Sequence, residues 1–497
     1  MKRAASYFPP ERGMIVTKEI VCFRNADWIV GWDDDRGTHC YYRDSDLAFS
    51  GESIVFAGPG RYEGDCDREI SAVGQCLMPG LVNLHTHTAS MPAFRGVREE
   101  MGNPNFYFSG VYEGWGLFMP PAETRGTTTR AAICEMLLSG VTTCVDMSYP
   151  YPGWIDAVAQ SGIRAFVSPL FDSAKIAAAN DHALEYRWAE DGGAADFAAA
   201  VELLEMVDGH ASGRLSAMMS PMTVDACTPE LLHQAHDIAT ERNWPYHLHA
   251  GMSVIEFHEM VKRTGQTSIQ WAHDQGLLGP GTIIGHGAVL DHHSWVHWHT
   301  KDDIDILAES GASVSHCPVV LSRYGVTLES FGRYRRAGIN LGIGTDCHPH
   351  NMLEEIREAA ILCRVAEQHM FSALTADVFD AATVGGAKAL LRDDIGRLSK
   401  GAKADIVVVD VTHQMMLPLY DPLRSLIFSA CDRAVKDVFV GGQQVVGDGQ
   451  VLTMNHQQIA EGVSEIQAAV VRDMPNRDRK NRTAEEIAPR TYSSYES

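Results

Sequence analysis

From residue 81 to residue 346 the chain alternates short apolar runs with longer amphipathic stretches. The runs are "LVNLHTH" (81–87), "VTTCVDM" (141–147), "IRAFVSPL" (163–170), "RLSAMMS" (214–220), "PYHLHA" (245–250), "TIIGHG" (282–287), "ASVSHC" (312–317) and "INLGIGTD" (339–346). Stretches of helical spacing lie between them, among them 124–139, 229–241, 255–264 and 353–367. Parallel strands buried on both faces read as near-continuous apolar runs. Eight such strands, each followed by helical sequence, predict an α/β fold with a (β/α)8 barrel of the TIM type. A doubly wound open sheet is the competing topology. Before the barrel, "SIVFAG" and "REISAVGQCLMPG" are β-rich and punctuated by glycine. After residue 389 the strand pattern returns in "IGRLSKGAKADIVVVD" and "VKDVFVGGQQVVGDGQVL". The chain therefore divides into a barrel over 80–395 and a small β domain drawn from 1–79 and 396–475. The remainder, 476–497, is polar with little apolar period and is expected to be a loosely held tail or an arm over a neighbouring subunit.

Composition narrows the partners. Lys+Arg 41 against Asp+Glu 64 gives a net charge of −23, which argues against nucleic acid or an anionic membrane surface and leaves a small molecule as the expected partner. No apolar run reaches the length of a membrane span, and "MKRAASYFPPERG" lacks the apolar core of a secretory signal. Eleven cysteines, with no CxxC pair, fit reduced thiols in the cytoplasm.

The 22 histidines carry the chemistry. Alternate residues of a strand share a face, so His85 and His87 in "LHTH" can converge on one ion. His249, His286 and Asp346 also end predicted strands, where enzymes of this fold keep their active sites. Imidazoles with one carboxylate suit one divalent metal, zinc, iron, cobalt or manganese, and ligand type alone does not choose among them; zinc is the expected ion. "SHCP" aims His316 at the same mouth. "DHHSWVHWHT" (291–300) lies well past the sixth run and reads as loop, and His348 and His350 in "DCHPHNM" read as a solvated loop.

At "MPGLVNLHTH", "LLSGVTTCVDM", "SHCP", "GINLGIGTD" and "IGRLSKGAKADIVVVD" the chain resembles the amidohydrolase superfamily, in its branch of heterocycle deaminases and triazine chlorohydrolases. The resemblance covers about residues 50–455. It implies a barrel beside a small β-sandwich built from both chain ends, and a homodimer or homotetramer. It further implies that His85, His87, His249 and Asp346 hold the metal, that His286 orients or coordinates the hydrolytic water, and that Asp346 takes that water's proton. The family's fifth strand commonly reads Pro-x-His-x-His-x-x-Glu; counting from Pro245 makes His249 the ligand and His247 its support.

The same count puts the family's glutamate at Met252, whose thioether is neither acid nor base. Glu256 and Glu259 lie farther along the next helix. An insertion, "REEMGNPNFYFSGVYEGWGLFMPPAETRG", adds Phe106, Phe108, Tyr112, Trp115 and Phe118 beyond the first strand, an aromatic lid with few donors. Phe108, Trp115, Met252 and Arg187 are expected to contact substrate, with His316 as a further acid. Protonating a ring needs a donor, whereas a metal can polarise a carbonyl directly. This favours hydrolysis of an amide-like bond in a small, fairly apolar xenobiotic, a phenylurea, carbamate or thiocarbamate, as in the phenylurea and molinate hydrolases that these two features resemble. The alternative is a deaminase or dechlorinase of a nitrogen heterocycle, and a metal-free scaffold is the non-enzymatic reading.

Overall fold

The computed structural model describes residues 19–103 and 105–492. The stretch read for a secretory signal, residues 1–13, therefore lies outside the described residues, as do residues 493–497 of the tail. All eight apolar runs are strands: Leu81–Thr86, Val141–Ser148, Arg164–Phe171, Leu215–Ala217 continued by Ser220–Pro221, Tyr246–Ala250, Thr282–His286, Ser313–His316 and Asn340–Ile343. They pair in parallel in chain order, and the eighth returns to the first through Ile343 and Asn83. The fourth strand is broken, with both pieces on the third, and the bridges Met219–Tyr246 and Thr223–His249 close the ring to the fifth. A closed ring excludes the open doubly wound sheet.

Nearly every strand residue is buried, which is why these strands read as runs rather than as alternation. Alternation is still present in what each face meets. In the first strand Val82 and Leu84 pack with Ala387, Leu390 and Ile395, while Asn83 and His85 face the other way.

Both chain ends enter one nine-stranded sheet. Ile406–Asp410 lies antiparallel to Gln75–Pro79 on one side and to Val435–Val440 on the other. A buried ion pair ties this β domain to the barrel: Arg164, on the third barrel strand, donates from Nε and Nη2 to Asp405 at 3.1 Å. Asp405 also accepts from the Gly441 amide at 2.6 Å.

The C-terminal stretch departs from its expected looseness. The helix His456–Arg477 runs through the boundary drawn at 475 and turns Ile466, Val470 and Met474 onto the insertion. Arg477 donates to the carbonyl oxygens of Leu117 (3.2 Å) and Met119 (2.8 Å). Ile487 is buried in the same cluster as Phe108, Tyr112 and Phe118. The polar residues that made this stretch look solvated are paired instead: Lys480 with Asp181 and Arg482 with Asp478. Through residue 492 the tail thus packs on this chain's own insertion. Among the described residues no helix is long and apolar enough to cross a membrane.

Candidate metal centre and active site

Five side chains meet at the carboxyl end of the barrel. His85 and His87 leave the first strand, His249 the fifth, His286 the sixth, and Asp346 follows the eighth. The ligand atoms of His85, His87 and His249 lie within 4.8 Å of one another, as do those of His85, His286 and Asp346. The Asp346 carboxylate stands 3.4 Å from His85 Nε2 and 3.3 Å from His87 Nε2.

Backbone contacts fix this convergence. The Asp346 amide donates to the His85 carbonyl at 2.8 Å, and the His87 amide donates to the Asp346 carbonyl at 3.0 Å. A Cβ on Gly344 would lie 2.5 Å from that of His85, so only glycine lets the eighth strand approach so closely. His286 and Asp346 both hold left-handed backbone, at φ 74° and 57°. Such strain in non-glycine residues persists where the surroundings enforce it, commonly at functional sites.

The hydrogen bonds on the far nitrogens test whether the set suits a cation. His87 Nδ1 meets the Met147 carbonyl at 2.8 Å, and His249 Nδ1 meets the Met222 carbonyl. A carbonyl accepts only, so each ring carries its proton on Nδ1 and turns a bare Nε2 inward. His85 Nδ1 lies 2.9 Å from His247 Nε2, a contact that lets His85 hold the same tautomer and gives His247 a supporting place. Nε2 of His85 and of His249 is buried with no hydrogen-bond partner. Orphaned inward lone pairs beside a carboxylate are what a divalent metal satisfies, and the set fits one.

Burial drives His85, His247 and His249 well below the ordinary 6.5, keeping the rings neutral. Burial alone would raise the Asp346 carboxyl. The adjacent His85, with His87 and His286 beside it, outweighs burial and holds Asp346 well below the ordinary carboxylate range. Neutral imidazoles around one ionised carboxylate satisfy both directions.

The expected substrate contacts divide. Phe108, Trp115 and Met252 line a small pocket of about 20 Å³ together with His87, His249, His286 and Asp346. A larger cavity of about 320 Å³ continues past His87 under the insertion, lined mainly by apolar side chains such as Met91, Met119, Met147 and Met222. Tyr149, Asp172 and Lys175 are polar members of its wall. Arg187 is a correction: on the outlying strand Leu184–Trp188 it is exposed, pairs with Glu185 at 2.9 Å, and lines neither cavity. His316 ends the seventh strand as expected but lies behind the mouth. It is buried, 3.3 Å from Ser330 Oγ, and lines neither cavity.

His348 and His350 are buried rather than solvated, because acidic side chains reach them: His348 Nε2 lies 3.0 Å from Glu99, and the His350 amide donates to Glu135 at 3.1 Å. Residues 291–300 form a loop organised by Asp291, which accepts from Thr300 Oγ1 at 2.8 Å and the Asp302 amide at 2.6 Å. Glu256 does not replace the absent acid. Its carboxylate holds the amides of Gly251 (2.7 Å) and Met252 (2.8 Å) and the Ser268 hydroxyl (2.6 Å), away from the pocket lining. Arg98, buried in the pocket wall, carries no sequence signal of its own, because a charged residue at the start of an insertion resembles any surface arginine.

The chain belongs to the amidohydrolase family, whose model matches residues 76–445. Among curated proteins it is similar to a 5-methylthioadenosine/S-adenosylhomocysteine deaminase of Natronomonas pharaonis, 28% identical over 394 residues, which cover 78% of this chain and 85% of that protein. It is also similar to a 5'-deoxyadenosine deaminase of Methanosarcina mazei, 29% identical over 399 residues, covering 80% and 86%. Among solved structures, an adenosine deaminase from Xanthomonas campestris with bound zinc superposes with a TM-score of 0.77 at 26% identity, over 91% of this chain and 98% of that one. The protein is a metal-dependent hydrolase acting on carbon–nitrogen bonds.

These relatives correct the expected substrate. Proteins matching about four fifths of the chain are named as deaminases of adenosine-type compounds, so the amide-like bond of a phenylurea, carbamate or thiocarbamate gives way to the heterocycle alternative. The inference from Met252 failed because one absent acid does not leave a pocket without donors.

Proposed function

We propose that this protein is a hydrolytic deaminase of an aminated purine-type ring. The likeness to adenosine-type deaminases over 78–80% of the chain carries the reading. His85, His87, His249 and Asp346 would hold one divalent metal, zinc by preference. When bound, such a cation lowers the pKa of a coordinated water from about 15.7 towards about 7. The protein's own groups do the rest. Asp346, ionised and adjacent to the histidines, accepts the proton that the attacking water gives up and returns it to the departing amine. His286 faces the same pocket and orients that water. The apolar cavity beyond His87 takes the substituent carried by the ring, and the aromatic insertion excludes bulk water.

The test is release of ammonia from 5'-deoxyadenosine, 5'-methylthioadenosine and an aminated triazine, with the zinc-loaded protein. Turnover of the nucleosides with metal-dependent ammonia release is expected. Zinc-loaded, folded protein that frees no ammonia from any aminated ring would sink the reading.

A further inference from the structure

Arg98 is only 5% exposed and lines the pocket that His87, His249, His286 and Asp346 also face. Its Nε donates to the Tyr324 hydroxyl, and its Nη1 meets only the Met91 thioether, at 3.1 Å. The rings of Phe94 and Tyr324 lie 5.7 and 5.5 Å from its Cζ. None of these partners is a carboxylate, and Nη2 has no hydrogen-bond partner among the described residues. A guanidinium does not deprotonate to escape burial; the Asp346 carboxylate of the same pocket attracts it, but no carboxylate hydrogen-bonds it, so its N–H groups are left to thioether and hydroxyl partners. A position like this is stable in use when a ligand supplies the acceptor.

The deamination proposed above supplies one. When water adds to a ring C=N, a carbon–oxygen bond forms and the π pair moves onto the ring nitrogen. The water's proton goes to Asp346. Met252 has no proton to give that nitrogen, and it lines the same pocket as Arg98. We propose that Arg98 takes the place of the missing acid. Its N–H groups hydrogen-bond the ring nitrogen beside the attacked carbon and hold the negative charge that arrives there, without proton transfer. Asp346 then protonates the exocyclic amine, and the pair on the ring nitrogen re-forms C=N as the carbon–nitrogen bond breaks. Ammonia leaves, and the hydroxylated ring relaxes to its oxo tautomer. Arg98 is thus a catalytic residue of a kind suited to charge rather than proton delivery, with an electron-deficient ring bearing an unprotonated nitrogen next to the amino-bearing carbon as its ligand.

This inference rests on the deaminase reading. The experiment compares wild type, Arg98→Met, Arg98→Lys and Arg98→Met/Met252→Glu, with kcat and KM measured on a series of aminated purines of increasing ring electron deficiency. Zinc content and melting temperature are recorded for each variant. Removing one preorganised donor from a developing anion lowers kcat by about 100- to 1000-fold. Arg98→Met should show that loss in kcat with a much smaller change in KM, Arg98→Lys should fall between, and Met252→Glu should restore part of the lost rate by bringing a proton. The deficit should shrink on electron-poor rings, which need less help with the charge. A merely structural lesion would lower all substrates alike, and that uniform loss overturns the proposal. So does an Arg98→Met kcat within about threefold of wild type. If Arg98→Met fails to fold, the ring-dependence of Arg98→Lys decides in the same way. Wild-type turnover with an unimpaired Arg98→Met removes this role alone, whereas a wild type that frees no ammonia removes the deaminase reading and the role together.

Discussion

Replacing His247 by leucine tests how the metal centre is built. His247 and leucine are similar in volume, so little packing is disturbed. What disappears is the acceptor for the His85 ring, whose Nδ1 lies 2.9 Å from His247 Nε2. Two consequences follow. The Nδ1–H of a fully buried His85 is left without a partner, which costs about 1–3 kcal/mol. The ring is also free to place its proton on Nε2, the atom that faces Asp346 at 3.4 Å and would bind metal. Loss of such an outer partner typically weakens a metal site about 10- to 100-fold. At about 1.4 kcal/mol per factor of ten this is about 1.4–2.8 kcal/mol, consistent with the unpaired-donor figure. The assay is competition for zinc between the metal-free protein and a chromophoric chelator of known affinity, for wild type, His247→Leu and His249→Leu. His247→Leu should bind zinc 10- to 100-fold more weakly, while His249→Leu, which loses an inward Nε2, should fail to retain it through gel filtration. If His249→Leu keeps zinc and His247→Leu loses it altogether, the assignment of the two histidines is reversed and the argument from carbonyl-fixed tautomers is wrong.

Other parts of the structure give sharp outcomes. Arg164→Met should destabilise the protein by about 3–5 kcal/mol, because it leaves Asp405 buried without its partner; denaturant unfolding within about 1 kcal/mol of wild type would show the ion pair does not couple barrel and β domain. At Glu135 burial alone would raise the carboxyl, but the hydrogen bond with His350 and the charges of His350 and Arg95 bring it from 4.5 down to about 2. A depressed carboxyl contributes stability that is present above the unfolded value of 4.5 and is lost as pH falls towards 2. Glu135→Gln should therefore be less stable by about 1.5–3 kcal/mol at pH 7, with a deficit that narrows below pH 4.5 in urea titrations. A deficit independent of pH would refute it. Ile487→Ala should cost about 2–5 kcal/mol of local stability if the tail packs on the insertion, read as faster proteolysis after residue 477; unchanged cleavage would mean the tail's docking contributes nothing.

The barrel was legible because its chemistry is local and repetitive. Each strand had to be apolar on both faces, so eight runs stood out, and strand-end polar residues such as His85, His249 and Asp346 stood out against them. The return of β pattern after residue 389 pointed to a domain shared by both ends, although only the pairing of Ile406–Asp410 with Gln75–Pro79 decided it. What the sequence could not carry was any property that depends on who lies opposite. Nothing in the sequence separates Arg187 from Arg98 as surface or buried. Tertiary structure leaves the first paired with Glu185 at the surface and turns the second into the metal pocket. His348 and His350 became buried because Glu99 and Glu135, far away in order, reach them. The tail's charges found partners on Asp181 and within itself, so a stretch without apolar period still folded onto the insertion. Patterning sets which face of an element is buried. Only the packed fold sets which charge meets which, since that energy depends on distance and burial rather than on order along the chain.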